Sequence, residues 1–133
     1  MKKSELKIGN YLSYKWDPIV GKPALLTVVE IKYDFARVEY LFEDKLKTDL
    51  ISFSELEGKT ISEYWLMKLG FEIGHPGYYN KGELVITVEG QVYFGESEVW
   101  IAEINFVHQL QNLWYALTGE DLTAEPAQIA QTI

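Results

Sequence analysis

The chain has 133 residues, the usual size of one domain, with room for at most two small ones. Apolar residues make up 47% and charged residues 24%, a globular composition whose 14% aromatic residues can build a core. No cysteine occurs, which excludes disulfides, thiolate metal sites and a cysteine nucleophile. The net charge is −8 and Arg37 is the only arginine, which argues against a broad surface for nucleic-acid phosphates.

Both chain ends predict a cytosolic protein. The basic start Met1-Lys2-Lys3 is followed by no apolar region of the kind that signal peptides carry. No run approaches the 18 apolar residues that would indicate a membrane-spanning helix. Residues 123–133 are mostly small and polar around Pro126, and we expect them to form a flexible tail.

Residues 1–57 predict short antiparallel strands. Apolar and β-branched residues alternate along several short segments, and polar turns separate these segments. The connections are too short for a parallel crossover. The expected strands cover residues 11–16, 25–32, 36–42 and 46–53. We expect a small antiparallel barrel of the Src-homology-3 type, because closing a sheet removes its edges.

Residues 58–122 predict a helix, a three-stranded meander and a second helix. Thr60 or Ser62 can cap the first helix, and Gly70 can end it. Asn105 is the expected cap of the second helix and Gly119 its expected end. The expected elements are helices over 62–69 and 106–118 and strands over 78–88, 91–94 and 99–103. The fold class is therefore α+β, and without a Pro- or Ser-rich linker the two halves should pack as one compact body.

Three stretches of the sequence resemble one family. They are LKIGNY at residues 6–11, residues 62–71, and VHQLQNLWYALTGEDL at residues 107–122. The resemblance spans roughly residues 5–122 and is to small bacterial proteins of unknown function, often carried by prophages and other mobile elements. This chain has Asp121 where the family usually has glutamate. The resemblance implies a cytosolic protein of a kind that phages carry, and it supplies no catalytic residue.

The second helix lacks charge over its whole length. Residues 104–119 contain no charged residue, although the chain is 24% charged. The expected core stripe is Phe106, Leu110, Leu113 and Leu117, with Val107 and Trp114 at its edge. The other face carries His108, Gln109, Gln111, Asn112 and Tyr115, a composition typical of interface centres. We expect Gln111, Asn112 and Tyr115 to be covered by the barrel or by a second copy of the chain; an exposed face that happens to lack charge is the alternative.

The aromatic residues of the first half exceed what a small barrel can bury. Tyr11, Tyr14 and Trp16 either form a binding surface, because exposed tyrosine and tryptophan stack well, or pack the junction between the halves. The paired glutamates Glu96 and Glu98 flank a turn, and nothing in the sequence fixes them across a cleft. No phosphate loop, nucleophile elbow or paired-histidine motif occurs, so no metal and no cofactor is expected.

Three functions remain open. The first is a non-enzymatic binding protein that acts through protein contacts; in a mobile-element setting its partner would be a host protein. The second is a small-ligand binder for a nucleotide-like ring, with aromatic stacking at an oligomer interface formed by the C-terminal helix. The third is an enzyme in which His108 acts as acid or base. Direct nucleic-acid binding and membrane binding are not expected.

Overall fold

The computed structural model describes residues 1–15 and 25–124. They form two antiparallel five-stranded sheets and two α-helices, so the predicted α+β class is confirmed. Neither of the helices in these two ranges is long and apolar enough to cross a membrane. Trp16 and all of the predicted tail beyond Ala124 lie outside the described residues.

The first sheet holds the strands of the N-terminal half in the order β4-β3-β2-β1-β5. The strands are Tyr11–Tyr14 (β1), Leu26–Ile31 (β2), Phe35–Phe42 (β3), Lys45–Ser52 (β4) and Leu56–Gly58 (β5), with a 3-10 turn over Phe53–Glu55. Every ladder is antiparallel, as predicted. No ladder joins β4 to β5 in the described part of the chain, so the sheet is open and the predicted closed barrel is not confirmed.

The second sheet has five strands where the sequence pattern predicts three. They are Glu72–His75 (β6), Tyr78–Lys81 (β7), Leu84–Thr87 (β8), Gln91–Phe94 (β9) and Val99–Glu103 (β10), paired in sequence order. Gly77 and Gly82 have φ values of +85° and +56°, which glycine adopts at little cost. Tight turns at these glycines add β6 to the sheet and split the predicted strand over 78–88 in two.

The first helix, Glu63–Lys68 (α1), begins where Ser62 caps it. The Ser62 hydroxyl accepts a hydrogen bond from the Trp65 N–H at 3.3 Å. The helix ends at Gly70, whose φ is +91°, and the Phe71 N–H then donates to the Leu66 carbonyl. Of the two possible caps, the structure therefore uses Ser62.

The second helix, Val107–Thr118 (α2), is capped one residue later than predicted. Its N-cap is Phe106, and the Gln109 side-chain oxygen accepts hydrogen bonds from the backbone N–H groups of Asn105 and Phe106. These bonds satisfy N–H groups that precede the helix, and the Val107 N–H of the first turn donates to the Lys59 backbone carbonyl. Gly119 ends the helix in the left-handed conformation, as predicted.

The main core lies between the two helices and the inner face of the second sheet, and a smaller core lies under the first sheet. On α2 the most buried apolar side chains are Val107, Leu110 and Trp114. Leu113 is half-buried and packs against the main core, so its predicted burial is met in part, whereas Leu117 is 37% exposed and its predicted burial is wrong. The buried stripe is rotated because α2 packs against strand β1 as well as against the second sheet.

The stability lost when a leucine of α2 is replaced by alanine should depend on whether that leucine lies in this rotated buried stripe. Leu110→Ala removes a fully buried side chain and should lower the free energy of unfolding by about 2–5 kcal/mol. Leu117→Ala, the matched control on the same helix, should cost less than about 1 kcal/mol. Urea unfolding followed by circular dichroism measures both, and equal losses would contradict the described helix orientation.

Candidate functional site

Gln111 lies at the centre of the contact between the two halves of the chain and is 5% exposed. Its side-chain oxygen accepts a hydrogen bond from the Tyr11 N–H at 2.9 Å. Its amide group donates to the backbone carbonyls of Gly9, at 2.9 Å, and Leu122, at 3.0 Å. Each polar atom of this buried amide therefore has a backbone partner, and these partners belong to two segments that are distant in sequence, residues 9–11 and Leu122.

Asn112 extends this contact toward solvent. Its oxygen accepts a hydrogen bond from the Asn10 amide at 2.9 Å, and its own amide donates to the Glu5 carbonyl at 3.0 Å. Tyr115, one turn further along α2, is 46% exposed, so its predicted burial is wrong. The Lys7 ammonium lies 4.2 Å from the centre of its ring and also pairs with Asp121.

The uncharged face of α2 is thus covered within a single chain. The segment before β1, the start of β1 and Leu122 supply the hydrogen-bond partners of Gln111 and Asn112. The missing charge on this face is explained by this contact, because a charged side chain here would be buried without a counter-ion. A second copy of the chain is not needed to account for it.

His108 is buried, although the predicted phase places it on the face opposite the core. It is 2% exposed, its ring stacks on Phe106 at 5.8 Å, and its Nδ1 atom has no hydrogen-bond partner among residues 1–15 and 25–124. Both rings press on β5: a Cβ atom on Gly58 would lie 2.5 Å from Phe106 and 2.9 Å from His108. Burial lowers the pKa of His108, although Glu5 opposes the shift. A side chain packed in this way has a structural role, because a general base must contact its substrate.

Tyr11 and Tyr14 are packed, whereas Tyr33 and Phe35 of the same half lie at the surface. Tyr11 is 4% exposed, lies against Trp65 with ring centres 5.6 Å apart, and accepts a hydrogen bond from the Ala124 N–H. Tyr14 belongs to the core of the first sheet, where burial and neighbouring carboxylates raise its pKa to about 12. Trp16 lies outside the described residues. Tyr11 and Tyr14 thus follow the packing alternative, and Tyr11 does so at the junction of the halves.

The sequence pattern does not indicate one further surface, which is the side of the second sheet that faces away from the main core. The inner face presents Tyr79, Leu84, Ile86 and Val92 to the main core. Directly paired residues share a face in an antiparallel sheet. The register therefore places one continuous row on the opposite side: Glu72, Asn80, Val85, Tyr93 and Trp100. We call this side, together with Tyr78 and His75, the outer face.

Trp100 is fixed on the outer face although much of its ring is exposed. Its side chain is 53% exposed, and its indole N–H donates a hydrogen bond to the Gln91 side-chain oxygen at 2.7 Å. A surface tryptophan held by a hydrogen bond loses little freedom when another molecule packs on it. Such rigid aromatic side chains are frequent anchors of binding surfaces.

Beside this row lies a concavity of about 610 Å³. The residues that line it include Tyr78, Asn80 and Val85 and the glycines at 74, 82 and 95. Its lining also includes His75 and three carboxylates, Glu83, Glu96 and Glu98, from the two turns at one end of the sheet. These turns meet where the Gly95 N–H donates to the Glu83 carbonyl. Glu96 and Glu98, which the sequence alone leaves unplaced, therefore lie at the rim of a defined cavity.

A charge asymmetry along the chain marks the same region. Residues 1–71 contain eleven basic and eleven acidic residues, whereas residues 72–133 contain one lysine and nine acidic residues. The whole net charge of −8 is therefore carried by the half that contains the second sheet. This uneven distribution of charge can be seen in the sequence alone, and it is the one sequence feature that indicates the outer face. Within the described ranges, no group of three or more histidine, aspartate or glutamate side chains could hold a metal ion.

Replacing Gln111 tests the covered helix face. Gln111→Glu removes the donor to the Gly9 and Leu122 carbonyls and buries a carboxylate, so it should destabilise the fold by several kcal/mol, on the order of 2–5. Because the cover belongs to the same chain, the loss of melting temperature should not depend on protein concentration. Ala116→Glu adds the same charge at an exposed position of α2 and should cost less than about 1 kcal/mol. A concentration-dependent loss would instead indicate cover by a second copy.

The buried imidazole should make the fold sensitive to mild acid. Because burial holds the pKa of His108 below its unfolded value of about 6.5, the unfolded chain binds a proton more readily. The stability due to neutral His108 should therefore be present above about pH 6.5 and decline as the pH falls toward the folded pKa. In urea titrations from pH 7.5 to 5, His108→Gln should lose less stability than the wild type. His75→Gln keeps the buried imidazole and should decline like the wild type; identical profiles for all three would contradict the prediction.

Comparison with known proteins gives no relative from which a function could be transferred. No family model matches the chain, and neither a curated protein nor a solved structure matches it.

Proposed function

We propose that this protein is a non-enzymatic binding protein that acts through protein–protein contacts, and that its partner binds to the outer face of the second sheet. The observation that carries the proposal is the cross-strand row from Glu72 to Trp100, whose two ends are exposed and whose three middle residues are half-buried, and which continues into the concavity. Sheets usually bury one face and can leave the other to solvent. An exposed face with a fixed tryptophan and tyrosines beside it has the composition of a binding site.

The size of the outer face favours a protein over a small ligand. The row crosses five strands, and four spacings of about 4.8 Å make it about 19 Å wide. Small-ligand sites instead enclose most of the surface of what they bind. The concavity is open toward the row, so a partner can fill it with one side chain and contact the row with its neighbours.

The sequence resemblance supports a particular kind of partner. Proteins carried by prophages and mobile elements act in a host cell, so a host protein is the partner that we propose. We also propose that the first sheet is a Src-homology-3-type barrel left open between β4 and β5. Pairing of β1 with both β2 and β5 supports this, since it bends five short strands around one small core. In this proposal the first sheet holds α2 in place, and the second sheet binds the partner.

Site-specific photo-crosslinking tests the proposed surface. A photoreactive phenylalanine analogue at residue 78 replaces a 46% exposed tyrosine of the outer face. The matched control carries it at residue 33, where an 83% exposed tyrosine lies on the first half of the chain. Irradiation of host cells that express each variant should give a discrete protein adduct from residue 78 and none from residue 33.

A second substitution decides whether the adduct reports on the outer face. Val85→Arg places a long charged side chain in the middle of the row, where Val85 pairs with Asn80 and Tyr93. The substitution should remove the adduct at residue 78, while circular dichroism shows that the fold is kept. An adduct that persists with Val85→Arg, or that forms equally at residue 33, contradicts the proposed function.

A further inference from the structure

Three carboxylates converge on the concavity of the outer face without a basic residue to balance them. Glu83 comes from the turn between β7 and β8, and Glu96 and Glu98 come from the turn between β9 and β10. Among all the residues that line the concavity, none is lysine or arginine. The wall of the cavity therefore has a negative potential that nothing in its own lining neutralises.

The only lysine in this part of the chain is turned away from the outer face. Residues 72–103 contain six glutamates and one basic residue, Lys81. Lys81 pairs with the buried Leu84 and so belongs to the inner face of the sheet. Its ammonium lies 5.6 Å from the centre of the Trp114 ring, on the α2 side. Lys81 therefore does not neutralise the negative charge of the outer face, and this charge can attract a binding partner.

The other groups of the cavity suit a cationic side chain. Tyr78 can offer the face of an aromatic ring, which attracts ammonium and guanidinium groups. Asn80 offers a carbonyl oxygen as a further acceptor. Carboxylate, ring face and amide oxygen occur together in one concavity of about 610 Å³, large enough for a lysine or arginine side chain.

We infer that the partner presents a basic, lysine- or arginine-containing extended segment, and that one of its cationic side chains enters the concavity while the rest lies along the row toward Trp100. This inference rests on the proposed function, since it specifies the chemistry of the partner at the same surface. The width of the row, about 19 Å, matches about six residues of extended chain. Tyr93 and Trp100 then contact the segment between its basic residues.

Binding of a defined basic peptide tests the inference. The probe is a fluorescein-labelled octapeptide of alternating lysine and serine, and its partner probe carries acetyl-lysine at the same positions. In fluorescence anisotropy at about 50 mM salt, the lysine peptide should bind at least about tenfold more tightly than the acetylated one, and salt should weaken it. In an NMR titration, the Trp100 indole signal and the Tyr78 amide signal should shift.

Charge-matched variants separate specific recognition from general attraction to an acidic protein. Glu83→Lys with Glu96→Lys reverses two exposed carboxylates of the cavity and should weaken the lysine peptide at least about tenfold. Glu55→Lys with Glu120→Lys makes the same change of net charge at exposed positions outside the cavity and should weaken it less than about threefold. Equal effects of the two double variants, or equal binding of both peptides, overturn the inference.

The crosslinking experiment distinguishes failure of this inference from failure of the proposed function. If residue 78 gives its adduct but the lysine peptide does not bind, the outer face binds a partner of other chemistry. If the peptide binds with the expected charge dependence and the adduct disappears with Glu83→Lys and Glu96→Lys, the inference is supported. If residue 78 gives no adduct and the peptide does not bind, both proposals fail.

Discussion

A buried amide side chain links the two halves of this protein where α2 meets the first sheet. Gln111 joins α2 to Gly9, Tyr11 and Leu122, so the helix, the start of the first sheet and the end of the described chain meet at one side chain. An amide supplies both a donor and an acceptor, which no apolar or charged side chain of similar size can do. With α2 in this position, His108 is buried and Leu117 is 37% exposed. The outer face is free because α2 packs on the opposite side of the second sheet.

Local chemistry was sufficient to predict the two helices and most strands, but not β5, β6 or the face of α2 that is buried. Ser62, Gly70 and Gly119 mark helix ends through their own hydrogen bonding and backbone freedom, so these ends are predictable from the sequence. Which residues of α2 are buried depends instead on two contacts of the helix, one with strand β1 and one with the second sheet. The apolar stripe of one helix cannot report this, and Leu117 was therefore expected in the core and His108 outside it. The lack of charge at residue 111 did correctly indicate a covered position.

The candidate site was predictable only in part, since it depends on strand register. Trp100, Tyr93 and Val85 are distant enough in sequence that only their pairing across β8, β9 and β10 places them on one face. Turns at Gly90 and Gly95 connect these three strands, and the turns at Gly77 and Gly82 extend the row to Asn80 and Glu72. The concentration of negative charge after residue 71 needs no structure to be seen. Charge alone, however, does not tell which face of the sheet carries it.

The tyrosine at the start of β1 has a consequence for the order in which the chain folds. Its hydroxyl accepts a hydrogen bond from the Ala124 N–H, a residue 113 positions later, and its backbone is bound by Gln111. Contacts between such distant positions form late, because closing a long loop costs conformational entropy before any contact is gained. During synthesis, the first sheet can assemble from the N-terminal residues, but its contact with α2 must wait until residues 107–124 have left the ribosome. Until then the Tyr11 side chain lacks the partners that bury it in the folded protein.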